Sequence, residues 1–117
     1  MKTLKLTLKK KWFDMILSGE KTEEYREIKP YWLKRFTGGV PNSFNLETYL
    51  TKWLQNKNIP YQITFYNGGC YSDKLPNFTI ELKDIKINKG NTKWGAEENK
   101  VYFVLKLGRI LSKSNCG

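Results

Sequence analysis

The chain has 117 residues, 39% of them apolar and 15% aromatic, with 21 Lys plus Arg against 11 Asp plus Glu and a net charge of +10. A chain of this length fits one domain that can bury a core without staples, and its apolar content excludes a disordered polymer. It contains no histidine, which excludes Ser-His-Asp and Cys-His catalysis and leaves Lys, Glu, Asp, Tyr, Thr or Cys for any acid–base or nucleophilic role.

Cys70 and Cys116 are the two cysteines. Without histidine they argue against a zinc site, and their placement argues against a structural disulfide and for a reducing cytoplasm. No apolar run is long enough to span a membrane. The opening "MKTLKLTLKKKW" lacks the apolar block of a signal peptide. The basic excess favours a polyanionic partner, nucleic acid first, although lysine-rich composition also serves solubility alone.

In chain order, Leu4, Leu6 and Leu8 recur at the period of a half-buried strand. Trp12, Phe13, Ile16 and Leu17 then have helical spacing, and Gly19 is a helix terminator. "KTEEYREI" leaves that helix as a charged, extended segment. Pro30 suits the first turn of a short helix, "PYWLKRF". After the loop "TGGVPNS", Asn45 is the expected N-cap of a helix "LETYLTKWLQ", with a staple between Phe44 and Tyr49. "YQITFY" and "FTIELKDIKI" alternate as strands. The second slips phase between Leu82 and Ile85, which predicts a bulge near Lys83 and Asp84. "VYFVLKLGRIL" is apolar on nearly both faces, as a central strand is. The last strands are too close for helical crossovers, so the sheet is expected to be largely antiparallel. The whole reads as one α+β domain over 1–117, a small, strongly curved sheet or partly closed barrel flanked by helices.

Gly19, Lys21, Glu24 and Arg26 spell G-x-K-x-x-E-x-R directly after an amphipathic helix. With the opening strand, the "WGA" loop (94–96) and the closing strand "VYFVLKLG", this pattern resembles the ASCH domains of the PUA-like superfamily. The resemblance covers most of the chain, with a helical insert at about residues 38–60. It implies a PUA-like pseudo-β-barrel with a charged cleft, and an association with RNA, its modification or translation. Some small ASCH proteins are metal-independent amidohydrolases that deacetylate N4-acetylcytidine. Those relatives carry a Thr nucleophile where Glu24 stands here, paired with the motif Lys and with a Glu on a later strand, for which Glu81 is the candidate.

Two functions are therefore carried forward. The first is binding of RNA or a nucleotide-like ligand, with Lys21, Glu24 and Arg26 lining the cleft and Tyr25, Asn67 and Trp94 as further contacts. The second is hydrolysis of N4-acetylcytidine or another modified nucleoside by Lys21 with Glu24 or Glu81. Neither needs a metal or a cofactor. Arg suits bidentate capture of phosphate or carboxylate, and a desolvated Lys beside another cation loses basicity. The triad is also readable as a salt-bridge cluster, and Trp12, Trp32 and Trp53 as core. In an ideal strand Glu24 and Arg26 share a face that Lys21 does not, so the motif requires a turn at "GEKT".

Overall fold

The fold is built around one mixed sheet of five strands; the computed structural model describes residues 3–116. The order is β1 (Thr3–Leu8), α1 (Lys10–Leu17), β2 (Glu23–Glu27), α2 (Pro30–Thr37), α3 (Leu46–Asn56), β3 (Gln62–Asn67), β4 (Asn77–Lys89), a 3-10 turn (Thr92–Trp94) and β5 (Val101–Ser114). Within the sheet the strands run β1-β3-β4-β5-β2. The β1–β3 pairing is parallel and the other three are antiparallel. The parallel pair is possible because all three helices lie in the chain between its strands, long enough for a crossover.

The alternation in β1 works as expected: Leu4, Leu6 and Leu8 are buried. Phe13 of α1 packs 4.8 Å from Phe78, which lies 5.6 Å from Phe65. Phe103 of β5 is where the other two helices dock. Phe36 of α2 meets it edge-on at 5.1 Å and Trp53 of α3 at 5.9 Å. The long β4 changes register against β5 between Leu82 and Asp84, the slip its apolar phase predicts, and at two earlier points.

The sheet is not closed into a barrel, because β1 and β2 remain its edges. The N-terminus of α3 also differs from expectation. Asn45 stands at the cap position without a side-chain cap hydrogen bond. Asn42 Oδ1 instead accepts from the backbone N–H groups of Phe44 and Asn45. This Asx turn points Phe44 outward, 95% exposed, so no staple forms. Tyr49 bonds Thr37 Oγ1 at 2.8 Å instead, tying α3 to the end of α2.

Gly19 closes α1 at φ +86° with open space where a Cβ would stand. Its substitution therefore isolates the backbone cost. Gly19→Ala is expected to lose about 1–2 kcal/mol in urea unfolding, and Gly19→Asn less, since Asn tolerates the left-handed region better.

Candidate functional site

The turn after α1 solves the facing problem of the charged motif. Gly19 N–H donates to Ile16 O and Lys21 N–H to Met15 O at 2.9 Å. Lys21 is thus folded back against its own helix, outside β2. Glu24 and Arg26 lie across from Leu105 and Phe103 of β5, so both face the core side of the sheet. Lys21 Nζ reaches Glu24 Oε1 at 2.6 Å, and Arg26 Nη2 reaches Glu24 Oε2 at 2.8 Å. The side chains of Lys21 and Glu24 are 1% and 8% exposed. One carboxylate thus bridges two cations, leaving one surplus positive charge.

Aromatic faces complete the assembly. Lys21 Nζ lies 4.6 Å from the Trp12 ring centroid and the Arg26 guanidinium 4.9 Å from that of Trp32. Gly95, at φ +99°, lets its loop approach Trp12 so closely that a Cβ would stand 2.9 Å from the indole. The "WGA" loop therefore pins Trp12 over Lys21. Burial pulls the Lys21 ammonium below its ordinary value of 10.5; Glu24 opposes that pull and Arg26 adds to it.

The triad stands where the sheet fails to close. Arg26 Nη2 also donates to Thr7 O of β1 at 3.0 Å, a side-chain bridge between the two edge strands. Beside it opens a cleft of about 760 Å³ lined by Thr7, Lys9, Trp12, Glu24, Arg26 and Trp32, among others. That volume is within the ordinary range for a small-molecule site.

The proposed residues divide. Glu24, Arg26, Tyr25 and Asn67 line the cleft, whereas Lys21, expected there too, does not: it reaches the cleft only through its bond to Glu24 and itself lines a separate cavity with Ile16, Leu107 and Gly108. Tyr25, however, packs its ring with Ala96, Tyr102 and Val104. Its hydroxyl donates to Glu23 and accepts from Asn91 N–H, and burial raises its pKa. Glu81 and Trp94 are not among the lining residues. The Glu81 carboxylate accepts from Arg109 N–H at 2.9 Å and from its Nε at 3.3 Å, which holds it below the usual range. Trp94 is half-buried in the 3-10 turn.

Trp12 and Trp32, expected in the core, pack against it half-buried and also line the cleft. Each precedes a fully apolar core position, Phe13 or Leu33, which puts it on the border of its helix's apolar face. That border position was the available signal. Lys9 and Gly68-Gly69 carried none. No family model, curated protein or solved structure matches the chain. Among the described residues no group of three or more His, Cys, Asp or Glu is placed to hold a metal ion, and no helix is long and apolar enough to cross a membrane.

Removing the bridging charge leaves two cations facing each other in poor solvent. Glu24→Gln is expected to cost about 3–5 kcal/mol in urea unfolding. Adding Lys21→Met should recover part of that loss, because the orphaned ammonium is the larger share of it. Equal stability of Glu24→Gln and the parent would remove the bridge from any account of the fold.

On the outer face, burial acts against the Glu23 carboxylate, but its hydrogen bonds from Lys106 and Tyr25 prevail and hold it below its ordinary 4.5. A folded-state pKa below the unfolded one means the stabilisation is full above 4.5 and is lost as pH falls through the folded value. Glu23→Gln should flatten the acid side of a melting-temperature profile below pH 4.5; an unchanged slope there would show the pair to be inert.

Proposed function

We propose that this chain is a PUA-like domain of ASCH type that binds RNA or a nucleotide-like ligand in the cleft between β1 and β2. The observation that carries the reading is the buried triad at the cleft wall, in which Lys21 and Arg26 share the single carboxylate of Glu24. The surplus positive charge lies in a partly desolvated setting, where an incoming phosphate is attracted more strongly than at an open surface. Arg26 binds its chain partners through Nη2 alone, so part of its fork is free for an anion. The Lys9 side chain stands exposed at the rim and adds attraction. The motif positions that resemble ASCH domains are the ones that assemble here. The two edge strands approach through Arg26 much as a pseudo-barrel requires. Free Cys70 and Cys116 fit the reducing cytoplasm.

Hydrolysis of an N4-acylated cytidine is the second reading, favoured by the lowered basicity of Lys21 beside Glu24. It lacks the threonine nucleophile, and Glu81 is committed to Arg109. It requires turnover of N4-acetylcytidine that disappears in Lys21→Ala while the circular dichroism spectrum is kept.

Fluorescence anisotropy with labelled single-stranded RNA tests the first reading. Affinity should fall steeply with added salt as phosphate contacts release counterions. Arg26→Ala should weaken binding roughly tenfold or more, the size of a charged hydrogen bond, and Arg26→Lys should be intermediate. Binding that ignores both salt and Arg26 would overturn the reading.

A further inference from the structure

The edge of β1 carries more than the Arg26 bridge. Arg35 of α2 donates through Nη2 to Lys5 O at 3.0 Å, two residues back from the Thr7 carbonyl that Arg26 occupies. Alternate carbonyls of a strand point the same way, so both arginines bind the outward edge, at carbonyls roughly 6.6–6.8 Å apart along it. Trp32 stands between them, its ring centroid 4.9 Å from the Arg26 guanidinium and 5.5 Å from that of Arg35. Tyr31, 60% exposed, meets the same indole edge-on at 4.8 Å.

Beyond Arg35 a second cavity of about 760 Å³ opens at the Thr3–Leu4 end of β1. Lys34, Arg35, Thr37, Asn58 and Tyr61 contribute to its walls, and no carboxylate does. Its field therefore selects anions. Between the two cavities Lys5 is exposed on β1.

We propose that the cleft and this second cavity are the two ends of one track for a single RNA strand, running along the outward edge of β1 across Trp32. The inference rests on the RNA-binding reading and extends it by naming an oligonucleotide, rather than a mononucleotide, as the ligand. Cations repeated along one strand edge suit successive phosphates of an extended backbone. The faces of Trp32 are taken by the two guanidiniums and by Phe36, stacked at 5.4 Å, so the exposed Tyr31 ring beside it is the surface that offers a base sequence-tolerant stacking.

The test compares a labelled uridine hexanucleotide, uridine 5′-monophosphate as competitor, and a duplex of the same length. The site variant is Lys34→Glu, exposed in the second cavity and outside the lining of the cleft, with Lys34→Gln as a milder second. The hexanucleotide should bind at least about tenfold tighter than the monophosphate, since it reaches additional phosphate contacts. Lys34→Glu should weaken the hexanucleotide about fivefold or more and leave the monophosphate unchanged. Lys34→Gln should lower the slope of log affinity against log salt by about 0.7, the loss of one single-strand phosphate contact. A monophosphate that binds as tightly as the hexanucleotide, or a hexanucleotide indifferent to Lys34, overturns the track while leaving the cleft as a nucleotide site. Duplex that binds as well as single strand also overturns it. No binding of any of the three overturns the track and the RNA reading together.

Discussion

The Glu24 carboxylate stands on the core side of an edge strand, across from Leu105, with Lys21 on one oxygen and Arg26 on the other. Apolar residues fill the neighbouring positions of β5. Two cations and an anion buried there carry a desolvation cost that their mutual attraction repays only with good geometry. The geometry is supplied from three directions: the turn after α1 delivers Lys21, the strand delivers Glu24 and Arg26, and the loop at Gly95 holds Trp12 over the ammonium. Hydrophobic residues of similar volume would close this corner of the core at lower cost. That the corner is ionic is the physical reason for reading it as a site and not as filling.

The same arrangement explains how the sheet ends. An edge strand exposes unpaired carbonyl and N–H groups that invite pairing with another chain. The outward carbonyls of Lys5 and Thr7 in β1 are taken by Arg35 and Arg26, so the edge is occupied by side chains and no further strand is needed at those positions. The guanidiniums are stiffened by their stacking on Trp32. The cleft is the space this side-chain closure leaves: wide enough for a ligand because strands do not fill it, and charged because Arg26, Lys9, Lys10, Glu24 and Glu27 line it.

Much of this was legible in the sequence. Periodicity located β1, α1, α3, β3 and β4, and the phase slip in β4 announced its bulge, because both express local alternation between core and solvent; α2 was marked by Pro30, while the 3-10 turn at Thr92–Trp94 left no such pattern. The motif residues Lys21, Glu24 and Arg26 were legible as types and spacing. Their meeting depended on a turn that Gly19 permits but whose path no periodicity encodes. Partner choice was the less visible part. Glu81 lies on the polar side of its strand, as expected, yet Arg109 reaches it across the β4–β5 ladder. Tyr25 looks like a stacking residue and is fastened by Glu23 and Asn91. Such contacts are set by register between distant segments, and the parallel docking of β1 on β3, which determines which carbonyls face Arg26 and Arg35, is of that kind.

Net charge acquires meaning from where the carboxylates are used. On the outer face of the sheet and around it they answer particular cations: Glu23 pairs with Lys106, Glu27 with Lys100 and Lys29, Asp84 with Lys57, Glu81 with Arg109. These pairs are largely solvated and contribute modestly to stability, but they neutralise the surface on which they lie. Around β1 the balance is different. Among the described residues, Lys5, Lys9, Lys34 and Arg35 form no salt bridge, and Arg26 shares its one carboxylate with Lys21. These cations add to one field along a strand edge beside the cleft, although exposed lysines elsewhere, Lys83, Lys86, Lys89 and Lys113 among them, are likewise outside the salt bridges. What distinguishes this edge is therefore spacing and not a monopoly of charge: its cations repeat along one strand, the arrangement in which their fields add over the length of a ligand.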